Sequence, residues 1–362
     1  MPQPDDTTPD PSRQPFTGVP DHFRQAHDAI VHATRTTGPA PRTRRPAPAL
    51  TDIHGVGYTA PDRTRPGGPD NLALIILTRH PMTETEARAL LRPHTGDILD
   101  NVPLIVEVAP PSTLLQDLLL HQNYVNPASA GVSIGRAGVD GSGTLGFLAT
   151  RRDTGETLIV SCWHVIAGPY AQHQDALIQP SLPDQFARQL AHSRLIGWLD
   201  SWSSPIGGGL VDDFDCACAV PHDPVNPRFL STLTGAPKFE EFKPPVQDVD
   251  PGVLNQGVLK SGRTTGVTSG YIHAMGTHNQ NYYGQIVTFT NTLWICTNTG
   301  APFAQPGDSG SCIAMFNTGR PVGMLYAGDT TPQPTNQGPR LFTYATPIQS
   351  VLHRLNLEFR YT

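Results

Sequence analysis

A serine hydroxyl is a weak nucleophile until a base takes its proton, so a reactive serine is sought together with a histidine and an orienting acid. The stretch Gln305-Pro306-Gly307-Asp308-Ser309-Gly310-Ser311-Cys312 holds a serine among glycines, preceded by an aspartate, with no helical or strand period. Small residues there let the backbone bend sharply and let another molecule approach the hydroxyl. Upstream stand Ser161-Cys162-Trp163-His164-Val165-Ile166-Ala167 and Asp213-Phe214-Asp215-Cys216-Ala217-Cys218-Ala219-Val220, so the chain order is His, Asp, Ser. In that constellation His164 is the expected general base, Asp215 holds its imidazole in the useful tautomer, and Ser309 attacks an acyl carbon. The backbone N–H groups of Gly307 and Ser309 are the expected oxyanion donors, which is why no bulky side chain is wanted at Gly307.

Each residue also has a plainer reading. Ser309 fits a glycine-rich turn, His164 is one of 14 histidines, and Asp215 has acidic neighbours in Asp212 and Asp213. Asp215 is preferred because it leads directly into the small apolar run Cys216 to Val220, the start of a strand. The three together, in this order, are far more specific than any one.

The elements that must position these residues are short. Thirty-seven prolines and 34 glycines in 362 residues favour many turns over long helices, which suits an all-β core. Residues 1–19 read as a disordered tail, rich in Pro, Asp and Thr. Residues 20–48 combine an amphipathic helix from Asp21 to about Thr36 with a Pro/Arg linker. A small α/β unit over 49–125 is expected from strands at Ile53–Tyr58, Leu72–Leu77 and Val102–Val108 and a helix at Thr83–Leu91. Leu114 to His121 reads as a short helix or connector, and His54 as a structural histidine.

From 126 to 362 the period is mostly that of short strands. These lie at Gly131–Gly135, Gly143–Ala149, Leu158–Trp163, Asp215–Val220, Leu254–Lys260, Gly270–Ala274, Gln285–Thr290, Leu293–Thr297, Gly310–Phe316 and Val322–Ala327. Such a series indicates closed or paired antiparallel barrels. Ile348 to Leu355 reads as a closing amphipathic helix.

Charged residues make up 15% and the formal net charge is −6, so there is no electrostatic footprint for nucleic acid. The Arg42, Arg44 and Arg45 cluster reads as solvated linker. No apolar run is long enough to span a bilayer, and the first fifteen residues lack the apolar core of a secretory signal. Five cysteines without such a signal are expected as reduced thiols in a soluble cytoplasmic protein.

The motifs resemble those of the chymotrypsin-like (trypsin-type) serine peptidases over about 131–355. Gly307-Asp308-Ser309-Gly310 is the most specific match. Ser161 to Ala167 looks like the histidine motif of bacterial members and Phe214 to Ala219 like the aspartate motif. Lys260 to Gly270 is similar to the opening of their second barrel, and Gly323 to Gly328 looks like the strand beside the bound substrate backbone. The unit before it, with Gly55-Val56-Gly57 and Asn101-Val102-Pro103-Leu104-Ile105-Val106, looks like that of intracellular narrow-leaf-type peptidases and their bacterial relatives.

The resemblance implies a mainly β, chymotrypsin-like double β-barrel preceded by a small α/β domain, and a serine endopeptidase that needs no cofactor and no metal. Its substrate would be a protein or peptide, held by Tyr326, Ala327 and Gly328, and a homo-oligomer is compatible with the group. Phe303 would lie at the pocket base; being uncharged, it points to apolar or small side chains rather than Lys or Arg.

Two departures matter. No cysteine directly follows His164, and no Ile-Val-Gly-Gly segment exists whose new N-terminus could pair with Asp308. An unpaired buried carboxylate is costly, so Asp308 needs another cation; the resemblance implies Lys260, with Arg263 second, because bacterial members place a basic residue in that stretch.

Three other functions fit parts of the sequence. Cys162, His164, Cys216 and Cys218 are soft ligands that would make a metal site if they converged, but C-x-H and C-x-C lack the usual loop of structural zinc sites. A catalytically silent peptidase fold could serve as a binding scaffold, and the same triad would also serve an esterase. No phosphate-binding glycine motif supports nucleotide chemistry.

Overall fold

A computed structural model describes residues 18–36, 49–65, 67–108, 113–114, 124–187, 190, 192–206, 214–229, 242–297, 301–330 and 340–361. The expected tail up to residue 17, the linker over 37–48 and most of the connector after Leu114 lie outside the described residues.

The first unit contains helix α1 (Asp21–Thr36), strands β1 (Ile53–Thr59) and β2 (Ala73–Thr78), helix α2 (Glu84–Thr95), and strands β3 (Leu104–Val108) and β4 (Thr113–Leu114). Phe23, Ala26, Ile30 and Ala33 recur at helical spacing and are buried, which gives α1 its core-facing stripe. Thr83 caps α2 reciprocally with Glu86, each accepting the other's backbone N–H. The helix runs on past Leu91 to Thr95, with Pro93 in its last turn.

The first barrel is built from β5 (Ala128–Ala130), β6 (Ser133–Arg136), β7 (Gly143–Thr144), β8 (Phe147–Arg151), β9 (Thr157–Ser161), helix α3 (Trp163–Ile166), β10 (Ala176–Gln179), helix α4 (Leu182–Ala187), β11 (Arg194–Ser203), β12 (Cys216–Pro221) and β13 (Val225–Phe229). The second uses β14 (Gly257–Gly262), β15 (Gly266–Tyr282), β16 (Gln285–Cys296), β17 (Cys312–Met315), β18 (Pro321–Gly328) and β19 (Thr343–Pro347). Helix α5 (Ile348–Arg354) and β20 (Leu357–Phe359) then return the chain to the first barrel, where β20 pairs with β8.

The protein is mainly β, and two curled sheets carry it. One has the order β20-β8-β9-β12-β11-β10-β6-β7, and Gly146, just past β7, donates to Val160 O on β9 at 3.0 Å, turning the sheet back on itself. The other runs β14-β17-β18-β19-β16-β15 and closes through β14 pairing with β15. These are the two barrels the strand series calls for.

The 17-residue β15 is longer than the five residues expected for it. Along one edge it pairs first with β14 and then with β1, so β1, β2 and β3 extend the second barrel's own sheet. Val56, Leu74 and Ile76 share one buried cluster with Met275, Leu293 and Ile295. The other edge of β15 pairs with β16, which also merges two expected strands into one. Their hairpin turns at Tyr283 and Gly284, both with positive φ (50° and 91°), the two-residue turn whose twist matches the strands.

The sequence pattern did not reveal β5, β10, β11, β13, β19 and β20. Among the described residues no helix is long and apolar enough to cross a membrane.

Candidate active site

β9 ends at Ser161, and the chain turns at once into the single helical turn α3, which carries His164 rather than leaving it at a strand end. β12 runs antiparallel to β9 with Ala217 opposite Ser161. Asp215, two residues before Ala217, therefore falls beside the start of α3. Its Oδ1 accepts the backbone N–H of His164 at 3.0 Å, and its Oδ2 is hydrogen-bonded to His164 Nδ1. A carboxylate only accepts, so Nδ1 carries the proton and Nε2 keeps the basic lone pair. Both side chains are fully buried.

A third contact was not foreseen. Tyr282 Oη, at the tip of the β15–β16 hairpin, crosses from the second barrel and donates to Asp215 Oδ2 at 2.8 Å. The only sequence signal for it was the Tyr283-Gly284 turn, which ends two long strands one residue beyond Tyr282.

The serine loop meets the histidine motif on one carbonyl. Leu325 O, on β18, accepts Gly310 N–H at 2.8 Å and the Cys162 thiol at 3.1 Å. Ser309 Oγ donates to the next carbonyl, Tyr326 O, at 3.3 Å. From the first barrel, Thr144 N–H donates to Ser309 O at 2.8 Å, and Thr144 Oγ1 donates to Gly307 O at 2.9 Å. A side chain on Gly310 would lie 2.3 Å from Ser161 Oγ, so the loop fits only as glycine against the β9 end. The three motifs are thus brought to one inter-barrel seam. Ser309 is wholly buried there and His164 is 5% exposed.

The peptide groups of the expected oxyanion donors are held by their carbonyls. A trans peptide points its C=O and N–H in opposite directions. Thr264 Oγ1 donates to Pro306 O at 2.6 Å, so Gly307 N–H is turned away from Thr264. Ser311 N–H and Oγ both donate to Asp308 O, at 3.0 and 2.6 Å, which turns Ser309 N–H the other way. Gly307 has φ +94°, and a Cβ there would fall 2.3 Å from Arg263 Nη1. Only glycine suits that position.

Asp308 has the counter-ion first expected for it. Lys260 Nζ lies 3.3 Å from Oδ2, with both side chains fully buried. The carboxylate also accepts Thr264 N–H (2.8 Å), Thr265 N–H (3.2 Å), Thr265 Oγ1 (2.7 Å) and Gln305 N–H (3.0 Å). Burial pulls the Lys260 ammonium below the usual lysine range, and Asp308 partly counters that. Removing one partner of such a pair typically costs about 3–5 kcal/mol. Arg263, the second choice, is committed elsewhere: it forms a two-pronged pair with Asp184.

Of the expected substrate contacts, Tyr326, Ala327 and Gly328 form the end of β18 beside Ser309. There β4 pairs antiparallel with it, Leu114 opposite Ala327 and Thr113 opposite Gly328. Leu114 is therefore in a strand, not a helix. Tyr326 turns its ring inward, where Oη is 3.1 Å from both His278 Nδ1 and Thr292 Oγ1. Phe303 is fully buried, its ring 5.9 Å from Lys260 Nζ and its carbonyl accepting Thr268 Oγ1 at 2.6 Å.

The metal alternative narrows. Ligand atoms of Cys162, His164 and Asp215 lie within 4.8 Å of one another, whereas Cys218 Sγ turns to Ser201 Oγ at 3.1 Å. Burial first, and Asp215 next, push the Cys162 thiol well above its ordinary pKa. The Cys162 thiol donates to Leu325 O and the imidazole Nδ1 is bonded to Asp215, so both side chains are engaged by hydrogen bonds of the fold.

Residues 245–359 match the family model described as the Nal1 C-terminal domain. That stretch holds the second barrel and Ser309, but neither His164 nor Asp215. No curated protein sequence matches the chain. Among solved structures the chain is similar to Thermobifida fusca protease A at 18% identity, covering 65% of this chain and 100% of that one, with a TM-score of 0.41. Cellulomonas bogoriensis chymotrypsin is similar at 17% identity, over 65% of this chain and 99% of that one, with a TM-score of 0.38. Tobacco vein mottling virus protease is similar at 14% identity, over 63% and 83%, with a TM-score of 0.25. At these values the likeness transfers neither residues nor activity.

Proposed function

We propose that this protein is a serine endopeptidase acting through an acyl-enzyme on extended peptides. The observation that carries the reading is the buried His164–Asp215 pair at the same inter-barrel seam as Ser309 and its pinned loop. His164 Nε2 takes the proton of Ser309 Oγ as oxygen bonds to the peptide carbonyl carbon. The carbonyl oxygen becomes an oxyanion facing Gly307 N–H and Ser309 N–H. His164 then gives the proton to the leaving amine as the C–N bond breaks, and water repeats the sequence to release the acid. No cofactor enters these steps. The free, buried cysteines accord with residence in a reducing compartment, the cytoplasm.

Hydrolysis of a peptide library tests the proposal. Wild type should release amines from a defined subset of peptides. Ser309→Ala and His164→Ala should each lose roughly four to six orders of magnitude in kcat, and the double variant should lose little more, because the residues act as a unit. Equal rates in wild type and Ser309→Ala would refute it.

One observation favours a second reading, a catalytically silent scaffold. Ser309 is fully buried, and the adjoining edge of β18 is already paired with the chain's own β4.

A further inference from the structure

We infer that Arg263, ion-paired with Asp184 across the two barrels, is the positioning residue that fixes the Pro306–Gly307 peptide of the serine loop for oxyanion binding. The inference rests on the peptidase reading and adds a residue to it.

Asp184 belongs to the first barrel. It sits on α4 and accepts Ser133 Oγ at 2.5 Å and Ser181 Oγ at 3.1 Å. Arg263 directly follows β14 of the second barrel and meets the same carboxylate with Nε at 2.7 Å and Nη2 at 2.5 Å. The two side chains are 1% and 3% exposed. A bidentate fork fixes orientation as well as distance, which a lysine ammonium cannot do.

The backbone of Arg263 is tied to the first barrel too, its N–H donating to Thr144 Oγ1 at 3.0 Å. That hydroxyl in turn donates to Gly307 O. Arg263 is thus anchored at both its side chain and its main chain. The residue carried next, Thr264, holds Pro306 O through its hydroxyl and Asp308 Oδ1 through its N–H. The guanidinium and the Thr264 hydroxyl together fill the space a Gly307 side chain would need, Nη1 falling 2.3 Å and Oγ1 2.5 Å from a Cβ there. The hydrogen bond to the Pro306–Gly307 carbonyl, which turns Gly307 N–H, therefore comes from the residue next to Arg263, while Thr144, Thr265 and Gln305 hold the rest of the loop.

Buried charge pairs are weak stabilisers, and well-packed apolar replacements are often neutral or better. A pair that served stability alone would be dispensable in that way; one that positions the loop would not be. Arg263→Lys, the double variant Arg263→Met/Asp184→Leu, and Thr264→Val separate the two roles, with Tm, kcat and KM measured on the full chain. We expect the double variant to melt near wild type, while all three variants lose roughly tenfold to a hundredfold in kcat with KM within about twofold, the size of a damaged oxyanion donor.

Recovery of wild-type kcat in the double variant would make the pair structural only and overturn the inference. So would an unchanged kcat in Thr264→Val, which holds the test open even if the Arg263 variants do not fold. Failure of the peptidase reading is distinguishable, because wild type itself would then be inactive.

Discussion

At the scale of single residues, the proposed activation of Ser309 depends on how Asp215 is held. A carboxylate fully removed from water is tolerated only where donors replace its hydration, and Asp215 has the His164 main chain, the His164 ring and Tyr282 Oη. Hydrogen bonds to charged groups contribute about 1.5–3 kcal/mol. Tyr282→Phe removes one and leaves the ring in place, so we expect kcat to fall by roughly tenfold or more with KM nearly unchanged in steady-state kinetics; an unaltered kcat would show that the hairpin contact is idle. Ser309 and Asp215 stood out in the sequence because one lies among glycines and the other leads into the small apolar run Cys216 to Val220, whereas His164 stood out through its likeness to a family motif. A buried Asp308 called for a cation, and the likeness to bacterial members pointed to Lys260 as that cation. Tyr282, Thr264 and the Arg263–Asp184 pair were not legible there, because no local motif marks them and their partners lie on distant elements.

At the scale of elements, β18 is the strand on which the site turns. Its middle carbonyls bind the serine loop and Cys162, and its end is paired with β4. Antiparallel pairing means that the chain at β4 runs from Gly328 toward Ala327, and so toward the carbonyl that receives Ser309 Oγ. An extended peptide using this edge competes with β4. Leu114→Pro removes a backbone donor from that short strand, and we expect peptide hydrolysis to rise by roughly threefold to tenfold, the worth of about one hydrogen bond. A rate equal to or below that of wild type would show that β4 does not compete. Short strands flanked by glycine were readable from composition, but the 17-residue β15 was not. Its polar stretch Thr277 to Gln280 breaks the apolar pattern, yet Thr277, His278 and Gln280 are buried.

At the scale of the whole molecule, the two barrels and the first unit form a continuous structure, since β1 to β3 extend the sheet of the second barrel. A carboxyl group is buried in the second barrel. Asp329, directly after β18, has Oδ2 on Phe342 N–H at 3.0 Å and no partner for Oδ1 among the described residues. Burial raises its pKa from 3.8 to about 8. The folded state then holds a proton that the unfolded chain has lost, so this contribution to stability is complete below the unfolded pKa and is lost as pH rises from about 4 to about 8. Denaturant unfolding at about pH 5 and about pH 9 should show that decline in wild type and a flatter profile in Asp329→Asn. Identical profiles would mean that the carboxyl ionises freely in the fold.

The central claim is that Ser309 is a nucleophile made reactive by His164 and Asp215. A fluorophosphonate probe, followed by mass spectrometry of the intact and digested protein, reads this most directly. The account predicts a single adduct on Ser309 in wild type that is absent from Ser309→Ala and strongly slowed in His164→Ala. An unlabelled wild type with its native fold, or equal labelling of Ser309→Ala, would contradict it.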